Sequence, residues 1–266
     1  MTERVTVSIE DHVAVVRLNR PDKHNALDLP MFAALAQTGQ SLADDSSVRA
    51  VVLEAAGANF CAGIDTSIFE QGDTAIGAAA MAPGTASPAN LFQHAAYVWR
   101  EVPVPVICAI SGIAYGAGLQ IALGADLRYA RPDARLSIME IKWGIIPDMA
   151  ITTTLCRIMP ADKIKELAWS GRVIDGREGL SLGLVTALHD DPSQAARDTA
   201  RLIASKSPDA IRAIKRLFDH AWNLADADAL KLEAGLQMSL LGGENQVEAV
   251  MANIDARAPE FMDPKQ

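Results

Sequence analysis

Two glycine-rich turns and a downstream carboxylate are the residues whose types and spacing point to chemistry. An apolar run, Val104–Ile110, reads as a buried strand. It leads through Gly112, Ala114, Gly116, Ala117 and Gly118 into the apolar helical stretch Leu119–Gly124. A strand that turns through glycines into a helix aims backbone N–H groups and the positive end of a helix dipole at one point, where an anion can sit. A shorter elbow, Phe60-Cys61-Ala62-Gly63-Ile64-Asp65, follows the β-branched run Arg49–Ala55. A glycine cluster taken singly serves tight helix–sheet packing equally well. Two elbows together, with Glu140 at a matching distance downstream, favour an anion-stabilising site over two turns that merely close a core.

The elements that must position these groups follow from periodicity. Val5, Val7 and Ile9 alternate with polar residues, and Val13–Leu18 is a second strand, so the chain begins with a β-hairpin. The polar loop Asn19–Leu27 precedes a helix capped by Asp28, with Pro30 in its first turn, that runs to about Ala43. Thr66–Asn90 is rich in Gly, Ala, Pro, Ser and Met and reads as a long loop with a short helix at Ala75–Ala82. Leu91–Glu101 is an amphipathic helix stopped by Val102-Pro103. Asp126–Ala130 and Leu136–Ile138 are strands, and Glu140–Asp148 is a loop. Ala150–Ile158 and Ala161–Ser170 are helices. Four amphipathic helices follow Asp191, near Ser193–Lys206, Asp209–Leu224, Asp226–Leu241 and Asn245–Ala258.

The bounds agree with a globular α/β protein. Half of the 266 residues are hydrophobic, enough for a sizeable core, and the net charge of −9 argues against nucleic acid or an anionic membrane as partner. Cys61, Cys108 and Cys156 are odd in number, far apart and set in apolar runs, which fits reduced core thiols in a cytoplasmic protein and neither a disulfide frame nor a metal site. No signal-peptide pattern or membrane-length apolar stretch is expected. The composition divides the chain into residues 1–191, an α/β core carrying the site, and residues 192–266, a helical region suited to self-association.

Five segments in order, NRPDKHNAL near the start, FCAGID at Phe60–Asp65, GIAYGAG at Gly112–Gly118, ALGADLRYA at Ala122–Ala130 and MEIKWGIIPD at Met139–Asp148, resemble the enoyl-CoA hydratase/isomerase (crotonase) superfamily. The resemblance implies a crotonase-like spiral of ββα repeats with a C-terminal helical oligomerisation region, forming a homotrimer or a dimer of trimers. It also implies a coenzyme A thioester as substrate, with no cofactor beyond the coenzyme A the substrate carries. In the family the two elbows present one backbone N–H each to the thioester oxygen, here those of Ile64 and Ala117. Such a donor is worth a factor of about 10²–10³ when negative charge develops there.

The carboxylates depart from the hydratase pattern. Family hydratases hold water between two glutamates; the later position is Glu140, and the earlier is Gln120. Glutamine can hydrogen-bond but cannot exchange a proton usefully at neutral pH, and losing one acid/base group costs about 10²–10⁴ in rate. Asp148 lies eight residues beyond Glu140, where the family's dienoyl-CoA isomerases also carry an acid; it equally suits the N-cap of the helix that follows. Double-bond isomerisation through Glu140 is thus expected to exceed hydration, with a genuine 2-enoyl-CoA hydratase and a non-catalytic acyl-CoA binder as alternatives. Coenzyme contacts are assigned by resemblance to Arg20, Lys23 and Ala26 on one side, and to Ala62, Gly63 and Asp65 on the other. The family also brings a C-terminal residue, often from a neighbouring subunit, towards the phosphates and adenine, for which Phe261, Arg257 and Lys265 are the candidates. Trp143 is read as a buried packing residue that could instead line the acyl pocket.

Overall fold

The computed structural model describes residues 3–70, 80–82, 84 and 87–264. Strands β1 (Val5–Glu10) and β2 (Val13–Leu18) pair antiparallel across Asp11 and His12, both at positive φ as a two-residue hairpin turn with matching twist requires. Helix α1 (Leu29–Asp44) starts where Asp28 accepts the Met31 N–H and ends before β3 (Ala50–Ala55). After the one-turn α2 (Ser67–Glu70) comes α3 (Leu91–Glu101), closed at its start by a reciprocal Asn90–Gln93 capping box. Then follow β4 (Val106–Ile110), β5 (Ile113–Tyr115), α4 (Ala117–Leu123), β6 (Leu127–Ala130) and β7 (Arg135–Ser137). Next come α5 (Ile151–Leu155), α6 (Ala161–Ser170), β8 (Ile174–Asp175), α7 (Gly176–Ser181) and β9 (Ala187–Leu188). The chain ends in α8 (Pro192–Ala204), α9 (Pro208–His220), α10 (Asp226–Leu240) and α11 (Glu244–Ile254).

The strands form a six-stranded sheet ordered β1-β2-β3-β4-β6-β9 and a small sheet ordered β5-β7-β8. β4 and β6 belong to the large sheet and their successors β5 and β7 to the small one, so the chain climbs between two sheets repeat by repeat. This is the expected spiral. From β2 onward the large sheet is parallel. Such strands are buried on both faces, which explains the continuous apolar runs Ala50–Leu53 and Val106–Ile110.

One face carries α1 and α3, which meet where Gly39 lies against Val98; a Cβ at Gly39 would come within 2.5 Å of that side chain. Phe32, Phe60 and Trp99 are fully buried between these layers, each contributing on the order of 2–3 kcal/mol of burial. The opposite face is covered by α8, whose Ala196, Ala200 and Ala204 sit on Val13, Val52 and Ile107. Helix α8, the first element beyond residue 191, thus packs on the sheet of the preceding residues. Helix α9 is tied to the core by the buried Lys215 ammonium, which donates to Asp126 (2.7 Å), Val104 O (3.0 Å) and Trp99 O (3.3 Å).

Local differences from the sequence reading have local causes. Helix α5 is shorter than expected because Ala150, at φ +61°, turns the chain left-handed and Cys156 already ends the helix. β5 intervenes between the glycine turn and α4, and α2 lies in a stretch read as loop. The helix expected at Ala75–Ala82 falls mostly outside the described residues. Cys156 is exposed, unlike Cys61 and Cys108. Among the described residues no helix is long and apolar enough to cross a membrane.

Candidate active site

Backbone hydrogen bonds zip the two elbows together. Phe60 N–H donates to Ser111 O (2.9 Å), Cys61 N–H to Ile113 O (3.0 Å) and Tyr115 N–H to Cys61 O (3.0 Å). Contact this close requires residues without side chains. A Cβ at Gly118 would meet Cys61 O at 2.6 Å, and one at Gly63, where φ is +99°, would meet Tyr115 O at 2.9 Å and Ala117 N at 3.9 Å. Cys61 is fully buried and its S–H donates to Asn25 O at 3.1 Å; burial pushes the thiol up to about 12, so it packs and does not attack.

Hydrogen bonding spends the amides around the two expected donors. Asp65 N–H donates to Leu27 O and Gly116 N–H to Ser137 O, each at 2.9 Å. The N–H groups of Ile64 and Ala117 have no partner among the described residues, Ala117 being the first residue of α4, whose amide has none within the helix. Both residues line a cavity of about 560 Å³ together with Glu140.

Glu140 opens a one-turn 3₁₀ helix, Glu140–Trp143, and is 6 % exposed. Its Oε1 accepts from Gln120 Nε2 at 2.6 Å; its Oε2 is buried and has no hydrogen-bond partner among the described residues. The glutamine's orientation is set by chemistry. Met149 N–H, a donor only, lies 2.8 Å from the other end of the amide, which must therefore be the oxygen. Gly116 makes room for the pair, since a Cβ there would sit 3.2 Å from Glu140 Oε1. Burial raises the pKa of Glu140 and the charge of Asp148 raises it further, against the lowering effect of the Gln120 hydrogen bond.

The family model described as enoyl-CoA hydratase/isomerase matches residues 8–264. The chain belongs to the enoyl-CoA hydratase/isomerase family. It is 30 % identical over 262 residues to a mevalonyl-coenzyme A hydratase of Beauveria bassiana, covering 96 % of this chain and 93 % of that one. It is also 30 % identical over 260 residues to the mitochondrial Δ(3,5)-Δ(2,4)-dienoyl-CoA isomerase of Mus musculus, covering 94 % and 79 %. The crystal structure of enoyl-CoA hydratase from Bacillus anthracis superposes with a TM-score of 0.87 at 27 % identity, covering 98 % of this chain and all of that one. A hydratase and an isomerase match at the same 30 % identity, so family membership alone does not separate the two chemistries.

In this member of the enoyl-CoA hydratase/isomerase family the other expected site residues divide. Lys23, Ala26, Ala62, Gly63 and Asp65 line the cavity. Arg20 does not. Its guanidinium lies behind the wall, donating to Asp65 (2.6 Å) and Ala26 O (2.9 Å). The Ser67 N–H and Arg20 hold the Asp65 carboxyl down at about 2, so Arg20 and Asp65 form a neutral brace between the Asn19–Leu27 loop and the first elbow. Within its own protomer the Phe261 carbonyl accepts from Arg49 at 2.9 Å, and Phe261 lines neither the cavity holding Glu140 nor the one holding Asp148. Arg257 is paired with Glu248, and Lys265 lies outside the described residues.

Asp148 is half-buried and does not cap α5: the N-cap position is taken by Ala150, which has no capping side chain. Asp148 lines a second cavity of about 350 Å³ instead of the one holding Glu140. Trp143 is 51 % exposed, correcting the buried reading, and stands at the mouth of the first cavity with Lys142 Nζ 5.3 Å from its ring centroid. Tyr115, Arg135 and Lys142 are lining residues the sequence reading missed. Lys142, two residues past Glu140, was findable by spacing; Arg135 reaches the site only because β7 pairs with β5. Among the described residues no group of three or more His, Cys, Asp or Glu could hold a metal ion.

Proposed function

We propose that this enzyme shifts a double bond along the acyl chain of a coenzyme A thioester in preference to adding water across it. Glu140 Oε2 takes a proton from the carbon beside the thioester of a 3-enoyl substrate. The electron pair moves onto the thioester oxygen, where the amides of Ile64 and Ala117 stabilise it. The same carboxyl then returns the proton two carbons further along, leaving the 2-enoyl thioester. Lys23, Arg135 and Lys142 at the cavity suit the coenzyme's phosphates, and no separate cofactor is called for.

The observation that carries this reading is the double commitment of Gln120, whose oxygen accepts from Met149 and whose NH₂ donates to Glu140. It offers neither a second carboxylate for activating water nor a proton for the neighbouring carbon. The test is to incubate the protein with 2-enoyl-, 3-enoyl- and 3,5-dienoyl-CoA and follow each product. The expected result is Glu140-dependent isomerisation, with Gln120→Glu raising hydration by about 10²-fold or more. Fast hydration by the unaltered protein makes it a genuine 2-enoyl-CoA hydratase and overturns the preference; binding without turnover makes it an acyl-CoA binder.

The same proposal includes a homotrimer or dimer of trimers, supported by the apolar surface of the tail, where Phe218 stacks on Trp222 at 6.0 Å and Met238 and Ile254 are exposed. A cytoplasmic location is supported by the three free cysteines.

A further inference from the structure

The second cavity has a wall the mechanism does not use. Gln93, Tyr97, Asp148, Thr152 and Thr153 line it, interleaved with apolar residues such as Ile146. It adjoins the reacting carboxylate: Asp148 precedes Met149, whose N–H holds Gln120 against Glu140. The two carboxyls are close enough for the charge of Asp148 to act on Glu140. Among the apolar Pro88, Ala89, Ile146, Pro147, Ala150 and Ile151 that make up most of the lining, a polar group left unpaired against alkyl chain costs about 1–3 kcal/mol.

Several polar groups here are unspent. The Asp148 carboxyl receives no hydrogen bond from another residue, and the Tyr97 hydroxyl has no partner, among the described residues. The oxygen of Gln93 serves the Asn90 N–H in the cap of α3, leaving its NH₂ without a partner there. Thr153 differs, its hydroxyl donating to Ala150 O at 2.8 Å. No basic residue lines this cavity, so the carboxyl has no built-in counter-ion in it.

We infer that this cavity receives the far end of the acyl chain, and that Asp148 and Tyr97 select a chain carrying a hydroxyl over a plain alkyl chain. A hydroxyl both donates and accepts, so it matches Asp148 whether that group is ionised or protonated. The inference rests on the acyl-CoA reading above. It gives Asp148 a part in substrate choice where the sequence offered a helix cap or a second proton carrier.

The experiment uses matched pairs of 3-enoyl-CoA thioesters over a ladder of chain lengths, one member ending in methyl and the other in a terminal hydroxyl. Calorimetric Kd and kcat/KM are both read. At the best-fitting length the hydroxylated member is expected to bind about tenfold tighter. Asp148→Leu should reverse that ratio, Asp148→Asn should keep part of it, and Tyr97→Phe should narrow it. Equal or better binding of the alkyl member at every length overturns the inference, as does a ratio indifferent to both Asp148→Leu and Tyr97→Phe. A fall in kcat for both members of a pair at constant ratio makes Asp148 a proton carrier and also overturns it. Binding of both without turnover sinks the isomerase reading alone, because the Kd ratio still decides the tail; binding of neither sinks both.

Discussion

A glutamine differs from a glutamate by one amino group, and at position 120 that group points at Glu140 Oε1 from 2.6 Å. In the proposed reaction Oε2, buried and without a hydrogen-bond partner among the described residues, is the oxygen that gains and loses the proton, because Oε1 holds the Gln120 amide. Burial and, to a lesser degree, the charge of Asp148 push Glu140 upward. As a base it must be ionised, so kcat/KM should rise with pH through a value above the ordinary glutamate figure of about 4.3. Asp148→Asn deletes a negative neighbour, eases ionisation and should move that limb to lower pH. A limb that stays in place would show that the two carboxyls do not communicate.

Elements bring the donors together, and their glycines set how closely. Tyr115 N–H donates to Cys61 O and Cys61 N–H to Ile113 O across a gap that Gly118 keeps open, with Cys61 O, Cβ and Sγ all within 2.8 Å of where a side chain would begin. Backbone cannot yield as a flexible side chain can. Gly118→Ala should therefore cost about 2–3 kcal/mol and lower kcat as the elbows separate. Gly235, within α10, faces open space, so Gly235→Ala should gain about 0.5–1 kcal/mol from helix propensity. Urea unfolding of the pair measures both, and equal effects would remove close approach as the reason for Gly118.

At the scale of the whole molecule, the helical tail is joined to the core by α8 on the sheet and by cations that include Arg49, Arg197 and Lys215, the last with a side chain only 6 % exposed. Its ammonium satisfies two carbonyls from the α3–β4 connection and its neighbourhood, and it meets an Asp126 carboxylate that also accepts the Val106 N–H at 2.7 Å. Lys215→Ala should cost about 2–3 kcal/mol, since it strands acceptors that are mostly buried. An unchanged urea midpoint would show that α9 is kept in place by its apolar face instead. A cavity of about 700 Å³ lies between this tail and α3 and contains none of the residues around Glu140.

Much of this architecture was legible because it is governed by neighbours a few residues apart. Alternation in Val5–Glu10, the apolar run Val13–Leu18, Asp28 ahead of Pro30, the amphipathic spacing of Leu91–Glu101 and the glycines of both elbows each impose a local conformation whatever surrounds them. Which polar atoms are left over after pairing is a property of the folded chain. Arg20 is consumed by Asp65, 45 residues away, and Gln120 is turned by an amide 29 residues on. Asp148 is kept from capping a helix by the left-handed turn at Ala150, and Arg135 is carried to the cavity by strand pairing. Spacing along the chain could nominate the groups; only three-dimensional competition for hydrogen-bond partners settled which of them stayed free to meet a substrate.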